Sequence, residues 1–268
     1  MPELLRAIKI FYKKEGRDYL PWRKTKDPYK VLVSEMMLQQ TQVERVIPFY
    51  LKFIKRFPTP QALAQAPLTD VLSYWQGLGY NRRAKYLQGA AKMLTRDLNS
   101  VFPKNVEELE TLPGVGPYTA RAISAFAYNQ PEVFIETNIR TVFMYFCFPN
   151  KKKVSDTEIF PLVAMALKKS NMSPRDFYAA LMDYGAYLKK KGIRLNSRSR
   201  HYLKQSKFEG SARQLRGAIV RELLQSSKTL TQLSQTISRE KVDVEHELMK
   251  LQNEALVTFN NGRFLIER

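Results

Sequence analysis

The sequence predicts a mainly α-helical fold that ends in a small β-hairpin. Apolar residues recur at helical spacing along most of the chain, starting with Leu4 and Ile8. The string LPGVG at residues 112–116 places two glycines around an apolar residue directly before another helical pattern, which indicates a tight turn between two helices. Near the end, Asn261 and Gly262 lie between two short alternating segments and are a strong signal for a two-residue hairpin.

The composition indicates a polyanionic partner. The chain has 268 residues, enough for one large domain or two smaller ones with a real core. It carries 44 Lys+Arg against 25 Asp+Glu, a net charge of +19, which favours nucleic acid over membrane as the partner. Residues 1–14 do not resemble a signal peptide, and no run approaches the roughly 18 apolar residues of a membrane span. We expect a cytoplasmic, nucleoid-associated monomer.

The cysteine and histidine content argues against a metal centre built from side chains. Cys147 is the single cysteine, which excludes internal disulfides and any zinc or iron–sulfur site ligated by cysteines. It lies between Phe146 and Phe148, so a buried core thiol in a reducing compartment is expected. His201 and His246 form no credible metal pair.

A carboxylic acid lies on an otherwise apolar predicted helix. The helix that begins at Asp27 and Pro28 carries Glu35 next to Met36 and Met37. Desolvation in such surroundings raises the pKa of a carboxylic acid, and a proton donor that works near neutral pH needs that shift. The local pattern alone leaves open the alternative of an exposed glutamate on the wet face of the helix.

Two further stretches carry groups suited to nucleotide chemistry. The string GLGYNRRA at residues 77–84 is a glycine-hinged turn that opens a basic helix, and it places Arg82 and Arg83 to meet phosphates. Glu136 and Asn138 follow a strand-like apolar run where the next helix begins. Because the amides of the LPGVG turn and the helix after it form a site for a phosphate oxygen, the chain combines a phosphate clamp with a carboxylate.

Three strings together resemble the helix-hairpin-helix DNA glycosylases of the endonuclease III superfamily, above all the adenine DNA glycosylases of the MutY type. They are SEMMLQQTQV, LPGVGPYTA and ETN, and the resemblance covers residues 20–185. It implies a two-lobed glycosylase core at residues 1–207, with one lobe at about 26–132 and the other from 1–25 plus 133–207. Residues 208–268 would then form a separate module.

The resemblance implies roles for the catalytic and base-binding residues. Glu35 would be the general acid, and the Glu136 carboxylate, oriented by Asn138, would stabilise the positive sugar. Tyr118 stands where bifunctional lyases of the superfamily carry a lysine; since a tyrosine cannot form an imine, the chain resembles a monofunctional glycosylase. The pocket for the extruded base would be lined by Arg17, Trp22, Arg23 and Asp183.

The resemblance also implies how DNA is bound. Gln39, Gln40 and Tyr80 would fill the base stack when a nucleotide is flipped, and Gly114, Val115 and Gly116 would contact a phosphate. Backbone carbonyls of Leu112 and Val115 would hold a K or Na ion that bridges to DNA. The four cysteines that many adenine glycosylases use for an iron–sulfur cluster are missing, so no cluster and no other cofactor is expected. A basic tract that follows the string ALMDYGAY occupies that place.

The module at residues 208–268 reads as three helices and a hairpin, the element order of a winged helix. Such modules contact protein about as often as DNA, and the sequence leaves both roles open. Adenine glycosylases usually carry a hydrolase-like domain here, Glu136 stands where they have aspartate, and Ala179 replaces a glutamine that usually reads adenine. These three departures from the adenine-specific pattern limit what the resemblance implies about the substrate, and excision of adenine opposite 8-oxoguanine or guanine stays the first expectation. The alternatives are another mispaired or damaged base, such as thymine in T·G, or a catalytically inactive DNA-binding protein.

Overall fold

The computed structural model describes residues 1–202 and 207–266, and within these ranges the chain is mainly helical, as predicted. The helices that precede the first gap are α1 (Pro2–Glu15), α2 (Pro28–Leu38), α3 (Val43–Arg56), α4 (Pro60–Gln65), α5 (Leu68–Trp75), α6 (Arg82–Arg96), α7 (Val106–Glu110), α8 (Pro117–Tyr128), α9 (Thr137–Cys147), α10 (Asp156–Lys169) and α11 (Pro174–Lys190). The elements that follow it are α12 (Ala212–Gln225), α13 (Leu230–Ile237), α14 (Lys241–Asn253), β1 (Thr258–Asn260) and β2 (Arg263–Leu265). Short 3₁₀ turns lie at Pro21–Lys24 and Asn196–Arg198.

The described chain divides into two compact units whose segments alternate along the sequence. The first unit comprises Met1–Leu32, Pro103–Thr111 and the stretch from Val115 to the gap. The second comprises Val33–Phe102, Leu112–Gly114 and the described residues after the gap. The predicted boundaries of the lobes and of the C-terminal module stay predictions. Residues 203–206, the end of the predicted basic tract, lie outside the described residues.

The core of the first unit is built around the packing of α9 on α11, with α1 packed against α11. Large aromatic side chains fill it, among them Phe134 and Tyr178, whose rings stack with centroids 3.9 Å apart. Close packing of the two central helices depends on Gly185 in α11. A Cβ at that position would lie 2.5 Å from the Asn138 carbonyl oxygen in α9, so only glycine permits this approach.

In the second unit, helices α4 and α5 pack on α6, and α3 packs on α5. Phe53, Phe57 and Trp75 are fully buried, and the Phe53 ring meets the edge of Trp75 at 5.9 Å. Aromatic rings bury large areas, so this cluster contributes much of the unit's hydrophobic stabilisation. No helix in residues 1–202 or 207–266 is both long and apolar enough to cross a membrane.

The elements after the gap appear in the order that the sequence predicts, three helices and a two-stranded hairpin. The hairpin turns at Asn261 and Gly262, which both have positive φ, as a two-residue turn with the right twist requires. An isolated antiparallel bridge joins Lys228, before α13, to Phe264 in β2. The assignment of this region to the winged-helix class stays a prediction.

Candidate functional site

Glu136 caps the N-terminus of α9 with its own side chain. Its Oε1 accepts hydrogen bonds from the backbone N–H groups of Asn138 at 2.7 Å and Ile139 at 2.9 Å. The Asn138 side-chain amide donates to Oε2 at 3.2 Å. The longer glutamate thus folds back onto the first turn of the helix, where backbone donors and the helix dipole favour a negative charge. The expected orientation of Glu136 by Asn138 is present in this geometry.

Burial raises the pKa of Glu136 above its ordinary value, and the donors from Asn138 and Ile139 act in the opposite direction. The surrounding packing holds this arrangement in place, because Gly185 in α11 lies directly against Asn138. A carboxylate held by fixed dipoles is the type of group that stabilises a developing positive charge without reorganising.

Glu35 is buried, with 7% of its surface exposed, in the most enclosed part of α2. Its neighbours Ser34, Met36 and Met37 are 1% exposed or less. The exposed-glutamate alternative is therefore not what the structure shows. A buried carboxylic acid is the type of group that enzymes use as a general acid.

The predicted base-pocket residues Arg17, Arg23 and Asp183 form an ion cluster within the first unit, in which Asp183 is buried and both arginines are partly buried. Arg17 donates to Asp183 through its backbone N–H at 2.9 Å and its Nε at 2.6 Å. Arg23 donates from Nη1 at 2.8 Å and from Nη2 at 2.7 Å. Since a carboxylate has about four acceptor positions, these four donors use the capacity of Asp183. In this arrangement Asp183 anchors the segment before α2, and a base-reading role stays a prediction.

Two predicted aromatic residues are integrated in the core of the first unit. Trp22 is 9% exposed, in the 3₁₀ turn Pro21–Lys24. Tyr118, at the start of α8, is half-buried and meets the edge of Phe134 at 5.6 Å. The packing is compatible with both the core role and the pocket role of these side chains.

The wedge residues, which are the three predicted to fill the base stack (Gln39, Gln40 and Tyr80), lie on two turns of the second unit with unusual backbone geometry. Gln40 has φ 56° and Tyr80 has φ 49°, the left-handed region that non-glycine residues rarely adopt. Tyr80 is half-buried and Gln40 is exposed, while Gln39 donates from Nε2 to the sulfur of Met36 at 3.6 Å. Backbone strain of this kind persists only where surrounding contacts fix it, and it concentrates at functional sites.

Arg83 joins these two turns from the inside. Its Nη1 donates to the carbonyls of Met36 at 2.7 Å and Gln39 at 2.6 Å, and its Nη2 donates to that of Gly79 at 3.0 Å. It is 7% exposed, and burial lowers its pKa to about 10, so it stays charged at neutral pH. The sequence predicted a phosphate contact for Arg83; its guanidinium is instead engaged by backbone carbonyls. Arg82, the adjacent candidate, is exposed.

At the LPGVG turn, Gly114 has φ +78°, and an added Cβ would lie 2.6 Å from Cβ of Tyr86 and 2.8 Å from Cε of Met36. Gly116 has φ −97° and open space around its Cβ position. Gly116 also precedes α8, whose first N–H groups have no partner within the helix. The turn thus combines one structurally obligatory glycine with one that leaves its surroundings open to a ligand.

The side chains of Leu112 and Val115 are buried, so at these positions only the backbone can serve a ligand. Backbone carbonyl oxygens are suitable ligands for hard cations, which is compatible with the predicted K or Na ion. Within the described residues, no group of three His, Cys, Asp or Glu side chains is arranged to hold a metal.

Sequence reasoning missed three arginines that hold functional segments. Arg175 in α11 donates to the carbonyls of Phe126 at 2.6 Å and Thr25 at 2.7 Å, and so fixes the segment that carries Arg23. Arg213 in α12 donates to the Tyr80 hydroxyl at 2.7 Å. Arg198 donates from Nε to the Lys151 carbonyl at 2.8 Å and ties the tract after α11 to the loop before α10. Nothing in their local sequence reveals partners this distant.

The comparisons with known proteins agree with this arrangement. The family model described as HhH-GPD superfamily base excision DNA repair protein matches residues 33–160, a stretch that contains Glu35, the LPGVG turn and Glu136. The matched stretch covers slightly less than half of the chain, and it supports a helix-hairpin-helix glycosylase of the MutY-like type. The recognition made from the three sequence strings is confirmed.

The chain is similar to the adenine DNA glycosylase of Mycolicibacterium smegmatis, with 41% identity over 177 residues, 66% of this chain and 60% of that protein. It is 49% identical to the adenine DNA glycosylase of Mycobacterium tuberculosis over 133 residues, 49% of this chain and 43% of that protein. A solved structure of a thermostable thymine-DNA glycosylase matches with 26% identity and a TM-score of 0.59, over 69% of this chain and 85% of that one.

The chain spans about two fifths to three fifths of the lengths of these curated relatives. The similarity thus supports a glycosylase fold of the MutY-like type.

Proposed function

We propose that this protein is a DNA N-glycosylase that removes adenine mispaired with 8-oxoguanine or guanine and leaves an abasic site. The observation that carries the proposal is the similarity to adenine DNA glycosylases, together with a family match that contains both candidate carboxylic acids. The burial of Glu35 and the capped geometry of Glu136 suit the two roles that such a reaction needs.

In the proposed reaction, Glu35 protonates the leaving purine as the bond between base and sugar breaks. The bonding electrons leave with the base, and the sugar becomes positively charged. The Glu136 carboxylate, held at the N-terminus of α9 by Asn138 and Ile139, stabilises that charge until water adds to the sugar. The water loses a proton as its oxygen bonds to the sugar, and this proton restores the acid form of Glu35. General acid catalysis contributes typically ~10²–10⁴-fold to such a step.

The protein acts on double-stranded DNA in this proposal. The turns at Gln39–Gln40 and Tyr80 occupy the space left by the flipped nucleotide, whose extrusion costs roughly a few kcal/mol. The amides of Val115 and Gly116 bind phosphate, and the backbone carbonyls of Leu112 and Val115 would hold an alkali ion that supplies positive charge for the same phosphate. Exposed lysines and arginines, Arg82 among them, add to a strongly salt-dependent affinity.

The reaction is proposed to stop at the abasic site, because Tyr118 supplies no amine for imine formation. Strand cleavage is then expected only after alkali is added. A covalent protein–DNA adduct trapped with borohydride would contradict this monofunctional assignment, since only an imine is reduced in that way.

A single-turnover screen of duplexes with A·8-oxoguanine, A·G, T·G and matched pairs tests the substrate, with alkali to reveal abasic sites. We expect adenine excision, which Glu35→Gln abolishes while DNA binding is retained. A Glu35→Gln rate above about a tenth of wild type would contradict the general-acid role. T·G is included because one structural relative is a thymine-DNA glycosylase. Binding without product on every duplex would favour an inactive DNA-binding protein.

A further inference from the structure

We infer that the region after the gap is a DNA-binding element, in which α12 and α13 complete a groove for the duplex backbone beside the turn at Tyr80. This inference rests on the proposed function, because it assumes that the Tyr80 turn faces DNA. It assigns a DNA-binding role to a region that the sequence left open between protein contact and DNA contact.

The contact between α12 and Tyr80 is specific. Arg213 donates from Nη1 to the Tyr80 hydroxyl at 2.7 Å, and its guanidinium carbon lies 5.5 Å from the centroid of the Tyr80 ring. The same guanidinium lies 5.4 Å from the Phe208 ring. A tyrosine hydroxyl that accepts from a cation stacked on aromatic rings is held in one orientation. The wedge turn is therefore supported from α12 as well as from Arg83.

Further contacts fix the end of α14 to α6, the helix that follows the Tyr80 turn. The Lys85 ammonium donates to the carbonyls of Glu254 and Ala255, both at 2.8 Å. The Glu254 side chain also accepts a hydrogen bond from Arg216 in α12. These residues all belong to the second unit, so α12 and the wedge turns form one compact body.

A groove of about 1050 Å³ opens between the turns near Gln40 and Tyr80 and the helices α12 and α13. Four arginines line it, Arg45, Arg213, Arg221 and Arg239, and the described residues along its walls include no aspartate or glutamate. Arg221 and Arg239 are exposed, and both belong to the region after the gap. Arg221 also pairs with the Glu222 carboxylate at 3.8 Å, and an exposed pair of this kind is worth little.

The chemistry of the groove fits a phosphate backbone. The charged side chains described along its walls are all positive, and its neutral polar residues are mostly amides, such as Gln42, Gln76 and Gln214, which commonly contact phosphate and sugar. The groove is also continuous with Gln40 and Tyr80, the residues proposed to enter the base stack. A duplex that contacts those turns would place its phosphates near Arg221 and Arg239. An acidic protein would have no contact with the Gln40 and Tyr80 turns that aligns its charges with the two arginines.

The test measures the affinity of the full chain for a short undamaged duplex over a series of salt concentrations. Arg239→Gln is compared with Lys241→Gln, because both side chains are exposed and two positions apart, and only Arg239 lines the groove. The slope of log affinity against log salt falls by about 0.9 for each phosphate that the protein no longer neutralises. We expect a decrease of about 0.9 for Arg239→Gln, about 1.8 for Arg221→Gln with Arg239→Gln, and no change for Lys241→Gln.

A double variant that binds duplex with the wild-type slope and affinity overturns the inference. It is also overturned if the double variant loses binding to poly-glutamate while its DNA slope is unchanged, which identifies a site for an acidic protein. If the wild-type chain binds no duplex at all, the proposed function fails as well. Excision of adenine by a double variant with unaltered DNA affinity would leave the proposed function standing and remove only this inference.

Discussion

The start of α9 and the turn at Tyr80 are both proposed to act on a flipped nucleotide, and different kinds of contact fix them. The hydrogen bonds described for the Glu136 side chain come from Asn138 and Ile139, within three residues of it. Tyr80 is supported by Arg213, 133 positions away, and its turn by Arg83, whose acceptor at Gln39 is 44 positions away.

The difference separates local from tertiary control. A helix cap forms whenever its helix forms, since donors and acceptor are covalently close. A left-handed turn that carries an aromatic residue needs tertiary contacts, because its backbone is unfavourable by itself. We therefore expect substitutions at Glu136 to alter chemistry more than stability, and substitutions behind Tyr80 to alter stability as well.

Within this comparison, the largest effect is expected for Glu136→Gln. Glutamine keeps an acceptor for the α9 amides and removes the charge, so excision should fall on the order of 10²-fold or more while the free energy of unfolding changes little. Glu136→Asp should retain much more activity, since aspartate is a good N-cap and the residue expected from the resemblance. Single-turnover rates on an adenine mispair measure both. If aspartate proves as damaging as glutamine, the site is built around the longer side chain.

The second prediction concerns Arg83→Lys. It tests whether contacts between distant parts of the sequence hold the turns at Gln39 and Tyr80. Lysine offers three donors in place of five, so some buried carbonyls among Met36, Met37 and Gln39 lose their partner. We expect the free energy of unfolding in denaturant to fall by about 1–3 kcal/mol. The control is Arg82→Lys, an exposed neighbour that should change it by less than about 0.5 kcal/mol. Equal effects of the two substitutions would show that Arg83 does not hold the turns.

A smaller effect separates the two glycines of the LPGVG turn. Gly114→Ala should destabilise the protein by about 1–2 kcal/mol, because φ is positive and the new methyl group meets Tyr86. Gly116→Ala should leave stability within about 0.5 kcal/mol of wild type, since its φ suits alanine and its surroundings are open. If the amides there bind phosphate, Gly116→Ala will weaken duplex binding although the protein unfolds normally.

The smallest expected effect is on pH dependence. Burial raises the pKa of Glu136, so its carboxylate becomes protonated as the pH falls at values where an exposed glutamate stays ionised. The excision rate should therefore drop on the acid side at a pH above the ordinary glutamate range. The same shift makes the ionised group less favourable in the folded state, so the contribution of Glu136 to stability is lost as the pH rises through its folded pKa. Both trends should disappear in Glu136→Gln, which a rate profile and a series of unfolding curves would show.

The sequence predicted the parts of this molecule that depend on neighbouring residues. The mainly helical fold and the hairpin at Asn261 and Gly262 follow from local spacing and turn chemistry, and the structure confirms both. The position of Glu136 at the start of a helix followed in the same way from the apolar run that precedes it.

Long-range pairing was beyond the reach of local pattern. Arg17 contacts Asp183, which lies 166 positions away in the sequence, and no local spacing of residues predicts this ion cluster. Arg83 was expected to meet a phosphate, yet its guanidinium is buried and donates to backbone carbonyls of two turns. The groove arginines went unnoticed because Arg221 lies in α12 and Arg239 in the loop after α13, and only tertiary packing brings them together.

The packing of α1 on α11 has a consequence for how the protein is made. Leu4 and Ile8 are fully buried in the finished core, but the helix that covers α1 is among the last of the first unit to be synthesised. At ~5–20 residues per second, a ribosome needs roughly 10 to 35 s to travel from the end of α1 to the end of α11. During that interval the apolar face of α1 has no partner in α11. This exposed apolar face is the kind of surface to which a chaperone of nascent chains would bind.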